Sequence, residues 1–260
     1  MKIPIYQVDA FASTLFRGNP AAVCPLEAWM DDETLQNIAI ENNLSETAFI
    51  VDEPDGLHIR WFTPKAEVDL CGHATLATGH VLFHEMGQSD GEITFKSRSG
   101  ILTVSKCDNL LTLDFPADDP IRVDDVADIV ASLGASSNEV YKGETDYLVI
   151  FKDEAEVANL KPDFRALKRL GVRGVIASSP ADSVDFVSRF FAPGVGIDED
   201  PATGSAHTLM TPYWANRLGK LSMTARQISA RVGELEVELA GNRVKISGQA
   251  VTYLRGIIEI

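Results

Sequence analysis

Two short segments of the chain carry side chains suited to moving protons. Glu46 precedes the apolar run Thr47–Ile50, which favours a carboxylate partly removed from water. Such a carboxylate can take a proton from an acidified carbon and return it. The alternative is a glutamate that is simply hydrogen bonded at the start of a strand. His73 has two interpretations as well: it relays a proton, or it is a structural hydrogen-bond donor at the start of a helix.

Small residues elsewhere suggest how the chain could hold an anion. No lysine or arginine occurs between Glu67 and His80 or between Gly194 and Asn216. Backbone N–H groups at helix N-termini would therefore have to bind the negative charge of a substrate. Gly72, Gly204 and Ser205 would let a ligand approach the main chain closely. The alternative for the two glycines is that they only permit tight turns.

Asp200, Cys71 and a histidine pair each have a structural alternative. Asp200-Pro201 is also typical of an N-cap followed by proline at the first helical position. Cys71 is either a small buried side chain, the commoner case, or a thiol activated by a helix N-terminus. His80 and His84 have a spacing compatible with zinc, but no third ligand is apparent. We expect neither a metal nor a cofactor.

The composition excludes several classes of protein. The 260 residues carry a formal charge of −15, which repels nucleic acid and anionic membranes. The apolar runs are too short to span a bilayer, and the N-terminus lacks the features of a signal peptide. Three widely spaced cysteines form no disulfide framework. We therefore expect a cytoplasmic protein that acts on a small anionic metabolite, with nucleic acid and membranes excluded as partners.

Alternating and apolar patterns predict many strands and a few helices. The predicted strands are Ile3–Val8, Ala21–Pro25, Thr47–Val51, His58–Thr63, Glu92–Ser97, Ile101–Lys106, Leu110–Phe115, Glu234–Leu239 and Arg243–Ser247, the last two forming a hairpin. Two helices with one polar face are predicted, one after Asp31 or Asp32 and one from about Asp124 to Leu133. Two others, His73–Met86 and Ala206–Leu218, are apolar nearly all round. We expect each of these to run through the middle of its own wrapped sheet.

The two apolar helices belong to an internal repeat. Arg60-Trp61-Phe62-Thr63-Pro64 matches Arg189-Phe190-Phe191-Ala192-Pro193, and a short loop and an apolar helix follow each segment. The repeat predicts two lobes, residues 1–116 and residues 117–250. Trp61 and Phe190 are expected to fill the cores.

Four motifs, in order and with ordinary spacing, resemble the signature segments of phenazine-biosynthesis PhzF-like proteins. They are Gly18-Asn19-Pro20-Ala21-Ala22-Val23, Ser45-Glu46-Thr47-Ala48-Phe49, Gly72-His73-Ala74-Thr75 and Asp200-Pro201-Ala202-Thr203-Gly204-Ser205-Ala206. The resemblance covers essentially the whole chain. It implies an α+β fold like that of diaminopimelate epimerase, with two pseudo-symmetric lobes, each a rolled β-sheet around a central α-helix. It also implies a cleft between the lobes, the return of residues 251–260 to the first lobe, and a homodimer.

The resemblance assigns roles to individual residues. Glu46 would be the general acid/base, with His73 and Asp200 as further catalytic residues in the same cleft. The substrate-binding residues would be Asn19, Ser45, Gly72, Thr203, Gly204 and Ser205. Diaminopimelate epimerases use two cysteines, but this chain has only Cys71 at such a place, which excludes racemisation by two thiols. Val232-Gly233 stands where relatives often have two adjacent glycines.

Three classes of function follow. The first is a PhzF-like isomerase, independent of any cofactor, that moves a proton between carbons of a small carboxylate-bearing metabolite. The second is a one-base epimerase or lyase on the same scaffold. The third is a member that acts by binding another protein, with an idle cleft.

Overall fold

The computed structural model describes residues 1–135 and 139–260 and divides the chain into two compact units. The N-terminal unit comprises Met1–Asp114 and Ser247–Ile260, and the C-terminal unit comprises Phe115–Ile246. No helix among the described residues has the length and hydrophobicity needed to cross a membrane.

The N-terminal unit is a mixed sheet with two helices. Its strands are β1 Lys2–Ala10, β2 Asn19–Leu26, β3 Glu46–Glu53, β4 Gly56–Phe62, β5 Glu67–Val68, β6 Glu92–Ser97, β7 Gly100–Cys107 and β8 Leu110–Pro116, and its helices are α1 Asp32–Asn42 and α2 Gly72–His80. Strands β2 and β3 are parallel, as are β4 and β6, whereas β1 and β2, β3 and β4, β6 and β7, and β7 and β8 are antiparallel. The C-terminal strand β18, Ala250–Glu259, pairs antiparallel with β1.

Helix α2 is the core of this unit, because all nine of its residues are buried. It contacts β1, β2, β3, β7 and β18. A second apolar cluster joins α1 to β2 through Leu35, Ile38, Cys24 and Phe49. A sheet therefore surrounds the apolar helix, as its sequence predicts.

The C-terminal unit repeats this plan. Its strands are β9 Ile121–Val123, β10 Glu139–Lys142, β11 Asp146–Ile150, β12 Gly174–Pro180, β13 Phe186–Ala192, β14 Ile197–Asp200, β15 Ser222–Gln227, β16 Gly233–Ala240 and β17 Arg243–Gly248. Its helices are α3 Ala127–Ser132, α4 Glu154–Ala158, α5 Phe164–Arg169 and α6 His207–Leu218. Strands β11 and β12 are parallel, as are β13 and β15, and β12 and β13 are antiparallel.

Helix α6 is the core of the C-terminal unit. Trp214 stacks on Phe186 of β13 with ring centroids 5.6 Å apart, and its indole N–H donates to Ser178 Oγ of β12 at 2.9 Å. Tyr213 lies against Tyr141 of β10 at 4.9 Å. A separate apolar cluster holds α3, α4 and α5 against the sheet.

The internal repeat is visible as the same salt bridge in each unit. Arg60 donates from Nε and Nη2 to the two carboxylate oxygens of Glu67, at 2.7 and 2.9 Å. Arg189 makes the same bidentate pair with Glu199, at 2.8 Å for both bonds. The two guanidinium groups lie over Phe62 and Phe191, 5.1 and 4.9 Å from the ring centroids. Each pair fixes the loop that leads towards its central helix.

Several predicted boundaries are wrong. The helix predicted over His73–Met86 is α-helical only to His80, and Val81–Glu85 form a π-helical turn. The helix predicted from Asp124 begins at Ala127. The second apolar helix starts as a 3₁₀ turn, Gly204–Ala206. The sequence patterns also missed most elements between residues 121 and 200, because β10 and β11 are short and β12 is buried on both faces.

Burial of α2 leaves no room for a side chain at Gly79. A Cβ there would lie 2.7 Å from Val104 Cγ1 of β7. We expect Gly79→Ala to lower the free energy of unfolding by about 1–2 kcal/mol, because overpacking outweighs the better helix propensity of alanine. Urea unfolding measures the change. Gly91→Ala is the control, since nothing lies within 4 Å of its Cβ position.

A double-mutant cycle tests the cause. A Val104→Ala background removes the contact at 2.7 Å and leaves the Cβ of residue 104 at 3.2 Å, so Gly79→Ala should cost less there. An equal loss in both backgrounds contradicts the contact.

Candidate functional site

The start of α2 brings together four of the predicted site residues in the N-terminal unit. Ser45 Oγ donates to Asn19 Oδ1 at 3.0 Å, and the amide nitrogen of Asn19 lies 3.2 Å from His73 Nδ1. On the other side of the ring, His73 Nε2 lies 3.0 Å from Glu46 Oε2. Glu46 is the first residue of β3 and pairs in register with Ala21 of β2. Side chains from β2, the start of β3 and the first turn of α2 therefore form one line of polar contacts.

Glu46 and His73 are both buried, yet their contact is not a well-aligned hydrogen bond. Glu46 Oε2 lies outside the direction in which the ring nitrogen can donate. Neither Oε2 nor Nε2 has another hydrogen-bond partner among the described residues. Buried polar atoms without partners are uncommon in folded proteins, and catalytic groups are one of the recognised reasons for them.

The charge of this line depends on two opposing effects at His73. Burial by itself lowers the His73 pKa, but the neighbouring Cys71 and Glu46 side chains outweigh it and hold the pKa well above its usual 6.5. Burial also raises the pKa of the Cys71 thiol. The His73 imidazole thus lies beside the Glu46 carboxyl group, a pair suited to giving and accepting a proton.

Cys71 occupies the N-cap position of α2, and its Sγ lies 3.6 Å from His73 Nδ1. The first intrahelical bond, from the Thr75 N–H to the Cys71 carbonyl, leaves the N–H groups of residues 72–74 outside the helix ladder. The thiol is buried and its pKa is raised, which agrees with the buried-side-chain interpretation rather than with an activated thiol.

A metal ion fits this arrangement poorly. Ligand-type atoms of Glu46, Cys71 and His73 all lie within 4.8 Å of one another. The carboxylate, however, contacts Nε2 and the thiol contacts Nδ1, on opposite edges of the imidazole. Since one ring nitrogen binds one metal, these side chains form a chain rather than a common centre. His80 belongs to no cluster of three ligands among the described residues, and its Nε2 lies 2.9 Å from Thr252 Oγ1.

The C-terminal unit holds the other predicted residues in one loop, between β14 and α6. The Thr203 hydroxyl donates to the Asp200 carboxylate. Gln227 of β15, which is fully buried, accepts from the Thr203 N–H at 2.8 Å and donates to the Asp200 carbonyl at 2.7 Å. Gln227 was missed by the sequence analysis because it lies 24 residues from Thr203 in an ordinary strand pattern.

One alternative raised for this loop is wrong. The first helical residue is Gly204 and Thr203 occupies the N-cap position, so Asp200 is not the N-cap. Neither Gly72 nor Gly204 has a positive φ, so neither glycine is needed for a left-handed turn. Positive φ occurs instead at Val232, with φ of 57°, where the resemblance implies glycine. A β-branched residue in this conformation is strained.

His207 opens α6 and is completely buried. Its Nδ1 lies 3.0 Å from the Thr203 carbonyl, and burial lowers its pKa to about 4. The ring is therefore neutral at neutral pH, and Nδ1–H donates to Thr203. This hydrogen bond from His207 stabilises the loop that contains Asp200, Thr203, Gly204 and Ser205.

Comparison with known proteins shows the family. A sequence profile of the family described as phenazine biosynthesis-like protein (PhzC-PhzF) matches residues 8–256, and the chain belongs to this family. The chain is 51% identical to an uncharacterized isomerase of Pseudomonas aeruginosa, with all of both chains covered. It is 38% identical to the human phenazine biosynthesis-like domain-containing protein, with 99% of each chain covered.

Solved structures agree on the fold. A PhzF-family protein of Enterococcus faecalis superimposes with a TM-score of 0.97 at 48% identity, with all of both chains covered. A hydroxyproline epimerase of Agrobacterium vitis has a TM-score of 0.63 at 10% identity, over 99% of this chain and 92% of that one, which shows a shared fold alone. The predicted family and the predicted α+β fold are confirmed, and isomerase chemistry is supported at the level of the family.

Burial of Cys71 predicts slow labelling. A raised pKa leaves little thiolate at pH 7.5, and the thiolate is the form that reacts with iodoacetamide. We expect Cys71 to be labelled much more slowly than Cys107, which is exposed, as peptide mass spectrometry of the folded protein will show. Labelling of Cys71 as fast as that of Cys107 contradicts the buried thiol.

The low pKa of His207 predicts a loss of stability in acid. The folded pKa, about 4, lies below the unfolded value near 6.5, so the unfolded state takes up a proton first as the pH falls. The stabilisation that comes from neutral His207 is fully present above pH 6.5. As the pH falls from 6.5 to 4, the free energy of unfolding drops by about 3 kcal/mol.

We expect His207→Asn, which keeps a donor for the Thr203 carbonyl, to flatten the pH dependence of urea unfolding over this range. His80, whose pKa burial also lowers to about 4, is present in both proteins and cancels in the comparison. An unchanged slope shows that His207 titrates normally.

Proposed function

We propose that this protein is a PhzF-like isomerase that moves a proton between two carbons of a small carboxylate-bearing metabolite. Glu46 is the general acid/base of the proposal. The observation that carries it is the buried pair of Glu46 Oε2 and His73 Nε2, 3.0 Å apart and without an aligned hydrogen bond. Family membership and the isomerase names of the relatives support the same class of reaction.

The proposed reaction needs a base beside an acidified carbon and a donor that returns the proton. Glu46 takes the proton from one carbon, and negative charge spreads onto the carboxylate-bearing part of the substrate. His73, whose Nε2 lies 3.0 Å from Glu46 Oε2, stabilises that charge by donating a hydrogen bond, since a donor beside a developing anion lowers the barrier. Glu46 then delivers the proton to the second carbon. Atoms and electrons balance within the substrate, so the proposed step needs no cofactor.

The C-terminal unit supplies the second half of the proposed site. The proposal places four of its residues, Asp200, Thr203, Gly204 and Ser205, in one cleft with Gly72 and Glu46 of the N-terminal unit. Free N–H groups at the two helix starts are proposed to bind the substrate's carboxylate. Support comes from the repeat, since each central helix begins with small residues after an equivalent Arg–Glu pair. The proposal includes a homodimer in the cytoplasm, as the resemblance implies.

A one-base epimerase or a lyase on the same scaffold would use the same carboxylate. The stereochemical outcome distinguishes the classes, because an epimerase inverts one carbon whereas the isomerase moves a proton to another. The experiment screens unsaturated cyclic and hydroxylated carboxylic acids for C–H exchange in heavy water. Absence of any exchange across the screen favours the protein-binding alternative.

For the substrate found, we expect Glu46→Gln to lower the exchange rate by a factor on the order of 10²–10⁴, because the amide cannot accept a proton. NMR of the substrate in heavy water measures the rate. The control is Glu92→Gln, the same change at an exposed strand residue, which should leave exchange unchanged. Asp200→Asn should do less harm than Glu46→Gln, since asparagine still accepts the Thr203 hydroxyl. Exchange by Glu46→Gln at the wild-type rate would falsify the mechanism.

A further inference from the structure

Arg173 reaches into the first turn of the central helix of the C-terminal unit from the loop before β12. Its Nη1 donates to Ser205 Oγ at 2.9 Å. No lysine or arginine lies between Gly194 and Asn216, so sequence reasoning left this segment without a cation. The fold brings one in from 32 residues away.

The guanidinium is held on two further sides. Its Nε donates to Asp146 Oδ1 at 2.9 Å and its Nη2 donates to Asp146 Oδ2, and the Asp146 side chain is buried. The group lies over the ring of Phe190, 5.5 Å from the centroid. Gly174 makes room for that ring, since a Cβ there would be 2.3 Å from Phe190 Cζ. Three contacts therefore fix the direction in which Nη1 points.

This contact determines which way the Ser205 hydroxyl can bond. A guanidinium group donates hydrogen bonds and accepts none, so Ser205 Oγ must be the acceptor. The hydroxyl hydrogen of Ser205 must then point elsewhere. Among residues 1–135 and 139–260 it has no acceptor, because the other bonds of Ser205 use its carbonyl, which accepts from the His207 N–H and from Thr208 Oγ1. The hydroxyl is held as a donor and remains available to a ligand.

We propose that Arg173 is a positioning residue that holds the Ser205 hydroxyl ready to donate to the carboxylate of the substrate. The inference rests on the proposed function, in which Ser205 binds substrate, and names the group that prepares it. Ser205 is partly exposed and lies in the 3₁₀ turn that leads into the twelve residues of α6. The hydroxyl, the N–H groups of that turn and the positive guanidinium all favour an anion. Asp146 offsets much of the guanidinium charge, so orientation of Ser205 is the main effect.

The test uses benzoate and benzamide as probes, which share a shape and differ in charge. Titration calorimetry measures the binding of each to the full-length protein. We expect wild-type protein to prefer benzoate, and Ser205→Ala and Arg173→Lys each to weaken benzoate binding about tenfold, in line with the loss of one charge-assisted hydrogen bond. Benzamide binding should change little.

The double variant decides whether Arg173 acts through Ser205. If it does, Arg173→Lys in a Ser205→Ala background should have no further effect on benzoate. Ser205→Thr, which keeps a hydroxyl, should retain most of the preference. Arg226 and Ser183 give the matched control, because they form an exposed arginine–serine bond of 3.2 Å in the same unit. Arg226→Lys and Ser183→Ala should leave both probes unaffected.

Each other result contradicts the inference. Equal binding of benzoate and benzamide by wild-type protein would show that the site has no preference for an anion. Additive losses in the double variant mean that Arg173 does not work through Ser205. Should Arg173→Lys unfold the protein by disturbing buried Asp146, the comparison of Ser205→Ala with Ser205→Thr still decides, because neither touches that pair. Failure of the proposed function is a separate result, since it appears as Glu46-independent exchange and leaves probe binding unchanged.

Discussion

Each unit depends on burying one helix that has no polar face. All nine residues of Gly72–His80 are buried, and Leu209, Met210, Tyr213 and Trp214 are buried in the second central helix. Burying one such large side chain contributes about 1.5–3 kcal/mol, so leaving a face in water is costly. The strands must therefore surround the helix. The helix start is then buried too, together with the polar groups that it carries, and those groups need partners.

The two helix starts meet this need differently. In the C-terminal unit, Gln227 and His207 bind the loop around Thr203, so the Thr203 N–H and the carbonyls of Thr203 and Asp200 are bonded. In the N-terminal unit, Glu46 Oε2 and His73 Nε2 are left without an aligned bond. A bonded loop is suited to holding a ligand in one position, whereas a pair of buried groups without such bonds is suited to proton transfer. In the function that we propose, the repeat thus provides one scaffold for two kinds of half-site.

Three arginines of this protein orient neighbouring groups as well as contributing positive charge. Arg60 and Arg189 each donate two hydrogen bonds to a glutamate carboxylate, and each guanidinium group lies over an aromatic ring. Arg173 binds Asp146 in the same manner, but its remaining nitrogen contacts Ser205. A planar group with fixed donors can define the orientation of a neighbour as well as neutralise a charge. In a chain with a net charge of −15, these few cations act locally.

The sequence by itself determined the family, the fold class and the candidate site residues of this protein. Alternation located most strands of the N-terminal unit, apolar helices predicted wrapped sheets, and the motifs identified the family and the candidate residues Glu46, His73 and Asp200. Only the tertiary structure decided that Asp200 is not a helix cap, that Cys71 is buried with a raised pKa, and that Gln227 and Arg173 contact the loop. The reason is distance along the chain: periodicity reports contacts within an element, whereas these contacts join residues 24 and 32 positions apart and exist only once the sheet is closed.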